Sequence, residues 1–401
     1  MSNVSEEIKY LLSPKAIRER TEKIFDLTKA GKTHFEFHPE KLKEVTPFVI
    51  KVIKENYPDL DIPFHSRWGH FKPGGEDRAE ILKAKLGNDK IENARTLLDL
   101  VITSVLLDAG AGAQWKFDEN GKSFNRSEGL GVASFHMFKS GIFSSEDKVQ
   151  ADAKGLKNIK PADVEKHFQV TKENPLVGVE GRANLLKALG KCVENKPAVF
   201  KDGRPGNIID HMLATYGNSF EASDLLFEVL LQFGDIWPAR IIRDGISLGD
   251  VWSHSLLGEK ETFDSLVPIH KLSQWLTYSL IEPIMEADVE VKNVQNLTGL
   301  AEYRNGGLFV DMGVLTLRDE SLYQKAHKPS GELILEWRAL TIQLLDIIAK
   351  EVQDELNKSP QDFPLAKVLE GGTWWAGRKI AAEKRSDNSP PIKIDSDGTV
   401  F

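Results

Sequence analysis

Residues 331–357 read GELILEWRALTIQLLDIIAKEVQDELN, and this stretch decides the fold class. Leu340, Leu344, Leu345, Ile348 and Val352 recur at steps of three and four, with Glu336 on the same run. That spacing stacks side chains on one face of an α-helix. Residues 266–285 carry the second long helical pattern. Shorter ones follow over 17–27 (Ile17, Ile24, Phe25, Leu27), over 42–53 with Pro47 as a local break, and over 93–107, where Gly110-Ala111-Gly112 is a natural stop. Residues 222–233, ASDLLFEVLLQF, add another, with Ser223 or Asp224 as capping candidates. Strand signals are few. Ile246–Trp252 alternates after Asp244-Gly245, and Val289–Val294 alternates valine with charge, so both read as hairpin-sized pieces. The absence of βαβ alternation argues against a doubly wound fold. The expectation is mainly α: a single helical body, or two helical lobes around a cleft, with a few short β-hairpins. Residues 1–385 read as one mostly helical catalytic domain. Residues 386–401, polar and Pro-containing, read as an extended C-terminal arm.

Composition narrows the function. The 401 residues hold 52 Lys and Arg against 60 Asp and Glu, a net charge of −8. Such a balance argues against a general nucleic-acid binder, which needs a basic surface, but leaves room for one local phosphate pocket. Cys192 is the single cysteine, too few for an internal disulfide or a Cys-rich zinc site. The N-terminus lacks the apolar core of a signal peptide. The most apolar stretch, 97–113, is cut by Asp99 and Asp108 before it reaches membrane-spanning length. A soluble, cytoplasmic setting without nucleic-acid or membrane partners is expected.

Three stretches are dense in chemistry. In residues 64–71, FHSRWGHF, His65, Arg67, Trp68, His70 and Phe71 form either a ligand wall or a packed aromatic anchor. His65 and His70 lie five apart, off the usual helical metal pairing. In 266–276, Lys271, Gln274 and Trp275 share a helical face beside His270. Lys271 there is either an anion contact at a helix start or an ordinary solvated lysine. In 297–313, Glu302, Tyr303, Arg304 and Asn305 precede Gly306-Gly307, glycines that let another group approach closely, and Asp311 follows. Glu302 and Asp311 are the candidate catalytic carboxylates, or else structural ion pairs and caps. Gly203–Asn207, Trp237–Arg240 and Gly371–Arg378 read as turns, aromatic packing and helix ends. No P-loop is present.

The runs FHSRWGHF, NRSEGLGVASF, GRPGN, HKLSQWLTYSLIEP, GLAEYRNGGLFVDMGVL, EWRAL and GGTWWAGRKIAAEKR resemble a fungal and bacterial family of uncharacterised proteins tied to uracil catabolism. The likeness covers about residues 5 to 385. In that pathway uracil is carried on ribose phosphate, opened, and released as urea. A fainter resemblance links the chain to the queuosine salvage family, N-glycosyl hydrolases with a helical, DNA-glycosylase-like fold. Lys271 and Gln274 match its Lys-x-x-Gln stretch. Residues 301–304 match its Ala-Asp-Tyr-Arg, with Glu302 replacing Asp, and Gly313-Val314-Leu315 and Arg338-Ala339 match later pieces. That family's early aromatic strip corresponds to 64–71.

These resemblances imply hydrolysis of the N-glycosidic bond of a ring-opened uracil nucleotide, a ribosylurea phosphate, giving urea and ribose phosphate. Glu302 would stabilise the oxocarbenium-like sugar, and Lys271 would meet the 5′-phosphate. Tyr303 and Arg304 would place sugar or phosphate, while His65, Arg67 or His70 would assist the leaving urea. No metal or organic cofactor is expected. A functional link to a ring-opening cyclohydrolase-like enzyme and to uracil phosphoribosyltransferase is implied. Two alternatives remain: an amidase acting on the ureido group, and a non-catalytic binding partner of the ring-opening enzyme.

Overall fold

The 331–357 pattern folds as the helix Glu332–Leu356 in the computed structural model, which describes residues 4–112, 114–237 and 240–395. Leu340, Leu344, Leu345, Ile348 and Val352 are fully buried along it. The other periodic stretches become the helices Pro14–Lys29, Leu42–Asn56, Lys90–Leu106, Ala222–Phe233 and Lys271–Glu286. The protein is mainly α. Among the described residues strands pair only two by two, with no larger sheet. Pro238 and Ala239, Ala113, and the arm beyond residue 395 lie outside the described residues.

Four local expectations shift. The helix Leu42–Asn56 passes through Pro47 unbroken. Pro47 and Lys43, whose carbonyl loses its donor, both face outward, so water can satisfy that carbonyl. The apolar run at 266 starts as a strand. Leu266–Pro268 pairs antiparallel with Val251–Ser253, and the helix begins only at Lys271, after His270 turns left-handed at φ 52°. Pro268 favours that extended entry by restricting Val267. Glu290–Lys292 is no hairpin; it pairs parallel with the distant Ser219–Glu221. At Ala222–Phe233 the cap is reciprocal, Asp224 Oδ2 accepting from Glu221 N at 3.1 Å. A hairpin forms at Asp244-Gly245, joining Ile242–Arg243 to Ile246–Ser247, but the expected piece 246–252 breaks after Ser247, and Val251–Ser253 pairs elsewhere.

Packing divides the chain into two compact units: residues 1–65, 239–274 and 293–401, and residues 66–238 and 275–292. In the first, Ile17, Ile24, Val267, Ile269, Ala301, Leu335, Ala339 and Ile342 make one buried cluster. The helix Tyr303–Asp311 crosses the helix Trp374–Lys384, with Gly377 set against the backbone carbonyl of Arg304. On its other side, Trp337 Nε1 donates to Gly306 O at 3.1 Å, and a Cβ on Gly306 would stand 2.8 Å from Thr341 Oγ1. The group that Gly306 admits is therefore a neighbouring helix. The segment after Lys384 folds back along the helix Tyr303–Asp311. Arg385 grips both Asp311 oxygens at 2.7 and 2.5 Å, and Arg304 donates to Asn388 O at 2.9 Å. Further on, Lys393–Ile394 pairs with Ala326–His327.

In the second unit the helix Lys90–Leu106 is buried over most of its length. Asp99 on it accepts from Arg204 Nε and from Gly206 N, both at 2.7 Å, which fastens the Gly203–Asn207 turn. The helix Arg126–Lys139 abuts the Arg67–Phe71 turn. A Cβ on Gly131 would come within 2.5 Å of His70 O, which explains a glycine there.

Candidate active site

Glu302 is the N-cap of the helix Tyr303–Asp311. Its Oε2 accepts from Arg304 N at 2.8 Å and its Oε1 from Asn305 N at 2.5 Å, so two otherwise orphaned helix donors meet one carboxylate. Burial raises its pKa above the ordinary value. The two amides oppose that shift, as do the nearby positive charges of Lys271 and His65. Each oxygen has one backbone partner and keeps further acceptor capacity. Such a carboxylate can stabilise a cation or orient water.

The cap is held rigidly. Asn305 Nδ2 donates to Leu300 O at 3.1 Å, and Thr373 Oγ1 donates to Asn305 Oδ1 at 2.9 Å. Asn305, fully buried, is thereby a brace between the cap loop and the turn around residue 373. Gln274 Nε2 ties the start of its helix to Thr298 Oγ1 at 2.9 Å, while its buried Oε1 has no hydrogen-bond partner among the described residues. Lys271 leads that helix, half-buried, with its backbone N on Asp250 Oδ2 at 3.1 Å. Asp250 is itself anchored by Arg338, at 2.8 and 2.6 Å, and by Trp252 Nε1 at 2.6 Å. Against the pull of burial, the Arg338 guanidinium holds the Asp250 carboxyl well below the usual carboxylate range.

His65 completes the group. Its Nδ1 donates to Glu370 Oε2 at 2.7 Å, and its ring packs on Trp374 with centroids 5.7 Å apart. The first unit thus brings together His65, Lys271 and Glu302, with Tyr303 and Arg304 directly following the cap. Arg304 stacks over the Tyr303 ring at 4.9 Å. His270 is fully buried, its Nε2 donating to Leu11 O at 3.0 Å, so it fastens the N-terminal helices. Asp311 ends the helix that Glu302 begins, about 13 Å along the axis at 1.5 Å per residue, and both its oxygens are taken by Arg385.

Arg67, Trp68, His70 and Phe71 belong to the second unit. Arg67 is fully buried. It donates to Asp108 Oδ1 at 2.5 Å, to Ser104 Oγ at 2.7 Å and to His70 Nδ1 at 3.3 Å, and it lies 5.6 Å from the Trp275 ring. Burial lowers its pKa from the ordinary value while Asp108 opposes the shift. Trp68 Nε1 donates to Ser279 O at 2.8 Å, and Trp68 meets Phe71 edge-on at 5.6 Å. Glu370 and Asp250 were not singled out from the sequence. A lone acid in an apolar run and an acid after a turn glycine carry little signal, although Glu370 directly precedes the quoted string that starts at Gly371 and Asp250 falls within the Ile246–Trp252 stretch.

The family model described as "Protein of unknown function (DUF1688)" matches residues 10–401. The chain belongs to this family. It is 41% identical to the Schizosaccharomyces pombe protein named "Protein urg3", over 99% of this chain and all of that one. It is 39% identical to the Lachancea kluyveri protein named "Uracil catabolism protein 4", over 99% of this chain and all of that one.

Proposed function

We propose that the protein acts in uracil catabolism as an N-glycosyl hydrolase, cleaving a ribosylurea phosphate to urea and ribose phosphate. The observation that carries this reading is the buried Glu302 carboxylate, pinned by two helix-terminal amides beside Lys271 and His65. Its support from relatives is a full-length likeness to a protein named for uracil catabolism. The reading uses residues of the first unit alone.

Cleavage of the C1′–N bond leaves positive charge on the sugar. A fixed anion is worth most where that charge develops in a water-poor site. Glu302 supplies it and accepts a proton from the water that adds to C1′. Lys271 gives the 5′-phosphate a fixed positive contact at a helix start. Tyr303 lies next to the cap, where its ring and hydroxyl limit how the ribose sits. The test is to incubate the pure protein with ribosylurea 5′-phosphate and measure urea and ribose 5-phosphate together. Equal release of both supports the reading.

A further inference from the structure

We propose that His65 is the proton donor to the leaving nitrogen and that Glu370 is the positioning residue that aims it. The proposal rests on the hydrolase reading above and names its acid.

Geometry carries the argument. A carboxylate only accepts hydrogen bonds, so the 2.7 Å contact to Glu370 Oε2 places the Nδ1 proton of His65 on that side. Nε2 is then the nitrogen left to serve a substrate, and among the described residues it has no hydrogen-bond partner. The imidazole is not loose. Its backbone N donates to Ala366 O at 3.0 Å, and Trp374 backs the ring. Glu370 is fixed in turn by Tyr57, whose hydroxyl donates to Oε1 at 3.3 Å.

Glu370 also sits in an unusual piece of backbone. Residues Leu369–Thr373 form a single π-helical turn between the helices Leu365–Val368 and Trp374–Lys384. Such turns are rare and recur at functional sites. Two glycines make this one affordable in space. A Cβ on Gly371 would stand 2.6 Å from Ile62, and one on Gly372 would stand 2.7 Å from Val49. At its far end Thr373 bonds Asn305, the residue whose backbone N holds Glu302. One turn therefore registers the His65 support against the Glu302 cap.

The C1′–N bond breaks and its electron pair goes to the urea nitrogen. That nitrogen takes the proton from His65 Nε2. Water adds to C1′ and gives its proton to Glu302, and solvent exchange resets both groups. Glu370 supplies a negative partner for the imidazolium and holds its tautomer, without touching substrate.

The test uses two substrates with the full chain: ribosylurea 5′-phosphate, and a ribose 5-phosphate carrying p-nitrophenolate at C1′, a leaving group that departs without protonation. With ribosylurea phosphate, Glu370→Gln and His65→Gln should lower kcat by something like 10²–10³-fold with KM little changed, on the scale of general acid catalysis. Glu370→Asp should recover part of the loss. With the p-nitrophenyl substrate the defect of both Gln variants should be largely erased, whereas that of Glu302→Gln should persist. A fold defect would lower both substrates alike, so the contrast isolates the acid. His65→Gln carries the contrast if Glu370→Gln does not fold. Wild-type turnover with no contrast between substrates would overturn this proposal alone. A wild-type protein that cleaves neither substrate would overturn the hydrolase reading and this proposal with it.

Discussion

Replacing Glu302 by Gln separates a cap from a catalyst. The cap consists of two amide contacts, at 2.8 and 2.5 Å. A Gln side chain can accept from one amide and turns a donor towards the other. Losing an N-cap costs about 0.5–2 kcal/mol, and losing a negative charge at a helix start about 0.3–1 kcal/mol. Relief of a buried charge offsets part of this, because burial raises the Glu302 pKa. A net cost of about 1–2 kcal/mol, taken from a total of about 5–15, leaves nearly all molecules folded. Loss of one strong electrostatic group in a catalytic centre instead costs about 10²–10³ in kcat, or about 2.7–4 kcal/mol of barrier. Turnover measured as urea release, beside a thermal melt, therefore separates the two roles. KM should change little, since the cation exists only near the transition state. Glu302→Asp sharpens the contrast: Asp is the better cap residue but draws the carboxylate one methylene back, so stability should hold while kcat falls. In the wild type, activity should fade as pH drops through a carboxyl value above the usual ~4.3, because the ionised form is needed. A near-normal kcat in Glu302→Gln would reduce Glu302 to a cap and refute the reasoning.

Lys271→Ala should mainly raise KM, because a phosphate contact is the same in ground and transition states; steady-state kinetics on ribosylurea phosphate checks this. Gly377→Ala should destabilise by about 3 kcal/mol or more, since its Cβ would strike the Arg304 backbone carbonyl rather than a side chain that can move, and urea denaturation would show it. Asp250→Asn removes the carboxylate charge that pairs with Arg338, whose side chain is 2% exposed, and should cost about 3–5 kcal/mol near neutral pH. Asp250 has a depressed folded-state pKa, so this contribution is complete above its unfolded value of about 3.9 and is lost as pH falls below it. Melts of wild type and variant should accordingly converge in strong acid.

The helices were legible because burial imposes a period that the sequence must carry. Leu340 to Val352 on one helix and Leu97 to Leu106 on another show it directly. The strands were less so. Val251 to Ser253 and Leu266 to Pro268 find each other through tertiary packing, and three-residue pairings leave no period to detect. The arm after Arg385 reads as merely extended because its described anchors are remote in sequence: Asp311 for Arg385, Arg304 for the carbonyl of Asn388, and Ala326–His327 for Lys393–Ile394. At the site, Glu302, Lys271 and His65 stood out through residue type and company. Glu370 did not. Its role depends on a π turn, and Gly371-Gly372 reads from sequence as a helix breaker rather than as space for Ile62 and Val49. Asp250 hid likewise, because Gly249-Asp250 is an ordinary turn dipeptide until Arg338 reaches it from the helix Glu332–Leu356.

The central claim is the reaction itself, and the most direct measurement follows pure protein with ribosylurea 5′-phosphate as sole substrate, quantifying urea, ribose 5-phosphate, ammonia and carbon dioxide in one time course. The account predicts urea and ribose 5-phosphate in equal amounts, with ammonia and carbon dioxide absent. Ammonia and carbon dioxide with the ribosyl bond intact would make the protein an amidase, and tight binding without any product would make it a non-catalytic partner; either result contradicts the account.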